Sequence, residues 1–171
     1  MESSIALKLE HVFDVRIDFN ERRLFGPISG GATQGYTSVK SGLVEGPRLN
    51  GRVVDYSGAD WATVRTDGVV ELNAHYLLEA SDGTLIYIRN LGYVYGAQPP
   101  PQAGAPPVPN APPAQLPAAI APLPRSAYFR CTPYFRAPQG PHDWLNRTVI
   151  VGGGERRTNP DHSVFRYYAV T

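Results

Sequence analysis

The chain has 171 residues, with 16 Lys and Arg against 15 Asp and Glu, 17 Gly, 17 Pro, ten Tyr and a single Cys. That length suits one domain, spanning 1–171, and a net charge of +1 offers no electrostatic footprint for nucleic acid or an anionic membrane. No apolar run approaches the length of a membrane span, and the lone Cys131 makes no internal disulfide and suits a reducing cytoplasm.

The opening residues, MESSIALKLEHVF, hold an acidic Glu2 and no apolar stretch ahead of a small-residue cleavage site, so no signal peptide is expected. From Ile5 to Phe19 the odd positions are apolar apart from His11, while the even ones are mostly charged or small. This period of two predicts a half-buried strand, and its length predicts that the strand bends as barrel strands do. Further strands are predicted at Tyr36–Val44, Leu49–Ser57, Trp61–Thr66, Val69–Ala80, Thr84–Tyr95, Ala127–Arg136, Arg147–Val151 and Ser163–Val170. The sole helical signal is a short turn near His142–Leu145.

Asp67-Gly68 and Asp82-Gly83 each separate two alternating runs, the sequence signature of two-residue type I′ hairpins. That turn type sets a register in which Asp60 lies opposite His75, and His75 opposite Asn90, with Ala62, Asn73 and Gly92 in the next row and Glu71 beyond. Because side chains alternate with period two, a slip of one residue moves a strand's side chains to the other face. Many short strands with Gly-containing turns predict an all-β, antiparallel up-and-down β-barrel. Between Gln98 and Pro124 the pattern is interrupted by eleven prolines and no charged residue. This Pro/Ala-rich inserted loop, 98–124, favours solvated polyproline II and is expected to be a passive linker.

The run Glu45-Gly46-Pro47-Arg48-Leu49-Asn50-Gly51, followed by Ser57-Gly58-Ala59-Asp60-Trp61, is accompanied by Ile86-Tyr87-Ile88-Arg89-Asn90, Tyr128-Phe129-Arg130 and Asp143-Trp144-Leu145-Asn146. With these motifs the chain resembles the domain-of-unknown-function family 3237, from about residue 8 to the C-terminus apart from the insertion. The resemblance implies a small antiparallel barrel of the calycin or allene-oxide-cyclase kind and supplies no settled activity. Where that family commonly reads Asp-Ala-Arg on the central strand, this chain has Asn73-Ala74-His75. An amide and an imidazole therefore replace a charged pair, as in a specialised copy of the fold.

The row Asp60, His75, Asn90 is the leading catalytic candidate. Imidazole exchanges protons near neutrality, a carboxylate can orient it, and an amide can bind a substrate oxygen. Glu71 adds a second base and Asn73 a second amide, although the same residues also describe an ordinary solvated face. His11, on the apolar side of the first strand, suits either a hydrogen-bonded core histidine or an orienting contact in a cavity. Trp61, Tyr93 and Trp144 are candidates to shape a pocket, and Arg130 to hold a carboxylate.

Other chemistries find no support. Gly152-Gly153-Gly154 lacks the Lys-Ser/Thr and helix of a phosphate loop and reads as a bulge or turn. No histidines fall at metal-ligand spacing, so neither a metal nor a cofactor is expected. Cys131, in an alternating strand, reads as a buried thiol rather than a nucleophile.

The expectation is therefore a cofactor-independent cyclase, isomerase or dehydratase, in class terms a cofactor-free lyase or isomerase. It would act by acid–base catalysis on a small, largely apolar, natural-product-like molecule in the barrel cavity, with the catalytic set His75, Asp60 and Glu71. Asn73, Asn90, His11, Trp61, Tyr93, Arg130 and Trp144 would contact the substrate. The alternative is a non-catalytic carrier of a small hydrophobic ligand. The expected partner is a small molecule, with neither nucleic acid nor membrane, and homo-oligomerisation is left open.

Overall fold

The computed structural model describes residues 5–96, 128–157 and 159–171. The inserted loop 98–124 lies outside the described residues. Among the described residues ten strands follow in chain order: β1 (Leu9–Phe25), β2 (Thr33–Glu45), β3 (Gly51–Val53), β4 (Ala59–Asp60), β5 (Thr63–Val64), β6 (Val70–Ala80), β7 (Leu85–Tyr95), β8 (Tyr128–Arg136), β9 (Ile150–Arg157) and β10 (His162–Val170). A single 3₁₀ turn, Asp143–Asn146, sits between β8 and β9. Among the described residues no helix is long and apolar enough to cross a membrane.

The long strands pair antiparallel in chain order, β1 with β2, β6 with β7, β7 with β8, β8 with β9 and β9 with β10. The short pieces β3, β4 and β5 together fill one place between β2 and β6. β1 pairs with β2 along one edge and with β10 along the other, which closes an eight-stranded up-and-down barrel. β1 can serve both neighbours because its register shifts between His11 and Phe13 and again between Asp18 and Arg22. Such bulges bend and twist a long strand around the barrel wall.

Both Asp-Gly hairpins depart from the type I′ expectation. Gly68 and Gly83 each have φ of 84°, but neither Asp67 nor Asp82 has positive φ, and type I′ requires it at both positions. Each turn is instead a three-residue loop. Gly83 N–H donates to Ala80 O at 2.8 Å and Ala80 N–H to Thr84 O at 2.9 Å. Likewise Gly68 N–H donates to Arg65 O at 3.1 Å and Arg65 N–H to Val69 O at 2.9 Å. The Asp side chains stabilise this form, Asp82 Oδ1 accepting from Thr84 N–H and Asp67 Oδ1 from Val69 N–H. The outcome is a type I turn closed by a glycine bulge, and every pair in both hairpins moves by one residue.

The expected row Asp60–His75–Asn90 is thereby corrected. Asp60 pairs with Ala74, and Ala74 with Asn90, whereas His75 pairs with Ala59 and Arg89. The two slips have the same sense, so Asp60 and Asn90 still share a row and His75 turns to the opposite face.

Inside the barrel, one half is solid. Val12, Phe13, Val44, Val53, Leu78, Ile86, Phe135, Leu145 and Ile150 are all at most 3% exposed. The 3₁₀ turn plugs this end, with Trp144 edge-on to Phe13 at 6.5 Å and Arg48 over the indole at 3.9 Å. Gly152 and Gly154, expected in a bulge or turn, lie within β9 and seat aromatic rings. A Cβ on Gly152 would fall 2.7 Å from the Tyr167 ring, and one on Gly154 would fall 2.7 Å from the Phe129 ring.

Candidate functional site

The other half of the barrel is hollow. Even positions of β6 and β7 point inward, so Leu72, Ala74, Tyr76, Asn90 and Val94 line a lumen together with Ile17, Phe19 and Val39 from the opposite wall. Phe129 and Phe165 close one side, edge-to-face at 5.2 Å. The cavity offers about 80 Å³ to water centres, several times the roughly 10–15 Å³ that one water requires. Its lining includes Val70 at the start of β6 and Arg156 near the end of β9, on the side of the barrel that carries the β5–β6 and β9–β10 turns.

A few polar groups interrupt this apolar lining. Asp60 Oδ1 accepts from the Asn73 N–H at 2.9 Å. Burial pushes the Asp60 carboxyl up to about 6, against the opposing pull of that N–H and of the Arg22 charge. Asn90 and Tyr76 are each 1% exposed, and among the described residues the Asn90 Oδ1 and Tyr76 Oη atoms have no hydrogen-bond partner of good geometry. Tyr167 lies against the Tyr76 hydroxyl and Cys131 against the Asn90 side chain, on the side away from solvent. Burial raises the phenols of Tyr76 and Tyr167 above their ordinary range and pushes the Cys131 thiol up to about 12, so all three stay protonated at neutrality.

At the rim, Arg156 lines the lumen from the end of β9. It donates Nε to Asp161 Oδ1 at 2.9 Å, and Nη2 to Oδ1 at 2.6 Å and Oδ2 at 2.8 Å. Arg22 reaches the same carboxylate, Nη2 to Oδ2, at 2.8 Å. Both guanidinium carbons lie 4.9 Å from the centre of the Phe19 ring. No cluster of three or more His, Cys, Asp or Glu able to hold a metal occurs among the described residues.

Of the residues singled out from the sequence, Asp60 and Asn90 face this lumen and the others do not. His75 sits on the outer face, its Nδ1 2.7 Å from the Tyr87 hydroxyl and its Nε2 3.0 Å from Asn73 Oδ1. Asn73 Oδ1 also accepts from Arg89 Nε at 3.1 Å. Partial burial and the Arg89 charge lower the His75 pKa. Glu71, also outside, pairs with Arg65 at 3.2 Å. His11 is outside because the bulge after it reverses the alternation, and it meets Asp14 at 2.8 Å. Trp61, 48% exposed, packs on Tyr36, and Trp144 belongs to the plug. Tyr93 and Arg130 meet in an external groove along the β8–β9 seam, where two paired positions join the strands.

Tyr76, Arg22 and Arg156 were not singled out from the sequence. Tyr76 follows from the alternation once the turn type is known. The two arginines carry no local signal, since β1 and β9 bring them together across more than a hundred residues of chain.

Comparison with known proteins accords with this architecture. A family model described as "Protein of unknown function (DUF3237)" matches residues 7–170. A UPF0311 protein of Rhodopseudomonas palustris is 26% identical over 157 residues, covering 90% of this chain and 91% of its own length. The crystal structure of a protein with unknown function from Clostridium acetobutylicum superposes with a TM-score of 0.78 at 24% identity, over 99% of this chain and all of its own. That of an enzyme from Penicillium herquei superposes with a TM-score of 0.66 at 18% identity, over 100% and 99% of the two chains, a likeness of fold alone.

Proposed function

The chain belongs to the DUF3237 family, and we propose that it binds a small, largely apolar organic molecule inside its barrel. The observation that supports this reading is the hollow itself, a lumen lined mostly by apolar side chains that also carries the Asp60 carboxyl and the Asn90 side chain. An apolar cavity with few orienting groups is the usual construction of a small-molecule site.

Calorimetric titration with a series of alkanols and phenols tests this reading. Saturable one-to-one binding is expected, and Ala74→Phe, which fills the lumen from its wall, should abolish it while the protein remains folded. Binding that survives the filled lumen, or no saturable binding of any member, would overturn the proposal.

A second reading, cofactor-free isomerase, cyclase or lyase chemistry, is favoured by one feature. Asp60 is a buried carboxyl with a pKa about 6 on the lumen wall, suited to give and take a proton near neutrality. In this reading Asp60 takes the role that the sequence suggested for His75, and Asn90 is the amide that meets a substrate oxygen. The fold it shares with the Penicillium herquei enzyme is compatible with such chemistry. Asp60→Asn would then remove turnover and leave binding in place.

A further inference from the structure

The rim of the lumen has the composition of a carboxylate site. Arg156 and Arg22 are mostly buried, with side chains 12% and 8% exposed, yet they converge on the Asp161 carboxylate, which is 44% exposed. Arg156 approaches it through Nε and Nη2, the fork that recognises carboxylates in general. Asp161 belongs to the turn between β9 and β10, not to the barrel wall. The guanidiniums, by contrast, come from strands and are held against the Phe19 ring.

Charge bookkeeping at the rim leans positive. Two guanidiniums face Asp161, and Arg22 also feels the charge of Asp60 deeper in the barrel. The depression beside Asp161 adds Lys40, and its Arg16 is matched by Asp18. Inward from the arginines the wall is Ile17, Val39, Leu72 and Phe165.

On the reading that the lumen is a binding site, we propose that its ligand is a small monocarboxylic acid with an apolar body. Its carboxylate lies between Arg156 and Arg22 in the place that the protein's own Asp161 occupies in the empty barrel. The apolar body enters the lumen, and Asp161 moves outward with its turn. No bond is made or broken in this exchange of one carboxylate for another.

The test is calorimetric titration with straight-chain monocarboxylates from butanoate to dodecanoate, each beside the alcohol of the same length. In the wild type the acid should bind more tightly than its alcohol, and the two should compete. Asp161→Ala should tighten the acid by about tenfold, the value of one charge-assisted contact, and leave the alcohol unchanged. Arg156→Met should remove the preference for the acid and retain the alcohol, which also shows that the variant is folded. Equal affinities of acid and alcohol, unaffected by either variant, would overturn the carboxylate proposal and leave the lumen reading standing. If neither acids nor alcohols bind wild type or Asp161→Ala, both fall together.

Discussion

Replacing Asp60 by Asn tests the electrostatics of the lumen directly. Asn is nearly isosteric and keeps an oxygen for the Asn73 N–H that Asp60 Oδ1 accepts at 2.9 Å, so the chief change is loss of a titratable group. In the folded protein the carboxyl rises from 3.8 to about 6. A raised acid pKa means that folding favours the protonated form. The associated stability is fully present below the unfolded pKa and is lost as pH rises through about 6. The full amplitude is about 3 kcal/mol. Between about pH 4 and about pH 7 the accessible part is about 2 kcal/mol, because the unfolded carboxyl is already half ionised at the lower limit. Urea denaturation of wild type and Asp60→Asn at both pH values measures it. Relative to wild type, the variant should gain about 2 kcal/mol on going from the acidic to the neutral condition. Titrations common to both proteins, and any fixed cost of the substitution, cancel in that difference. A difference independent of pH would refute a raised pKa, and with it the acid–base reading of this residue.

Further outcomes follow from the same geometry. Gly154→Ala places a methyl 2.7 Å from the Phe129 ring and should destabilise by about 1–3 kcal/mol in urea denaturation; an unchanged midpoint would mean that the ring does not seat on this glycine. His75→Ala, on the outer face and bonded to Tyr87 and Asn73, should leave alkanol and carboxylate affinities within about twofold of wild type, since it is separated from the lumen by the barrel wall. A large loss of affinity in a folded His75→Ala protein would restore the histidine to the site.

Much of the fold is legible in residue order because its determinants are local. The alternation from Ile5 to Phe19, the Asp-Gly turns and the short strands between them specify a closed antiparallel barrel, and the plug turn near Trp144 is visible as well. Asp60 and Asn90 are also identifiable as partners on one face. The remainder of the site depends on two things that residue order does not display. One is the parity of the hairpins. Whether Asp82 adopts positive φ decides between two-residue and three-residue loops, and that single torsional choice exchanges His75 for Ala74 on the lumen wall. The other is closure. Arg22, Arg156 and Asp161 form one cluster because β1 and β9 flank β10 and the β9–β10 turn reaches the rim. Alternation and turn propensity are properties of neighbouring residues. Which face becomes the interior, and which distant charges meet there, is settled by register and packing across the whole barrel.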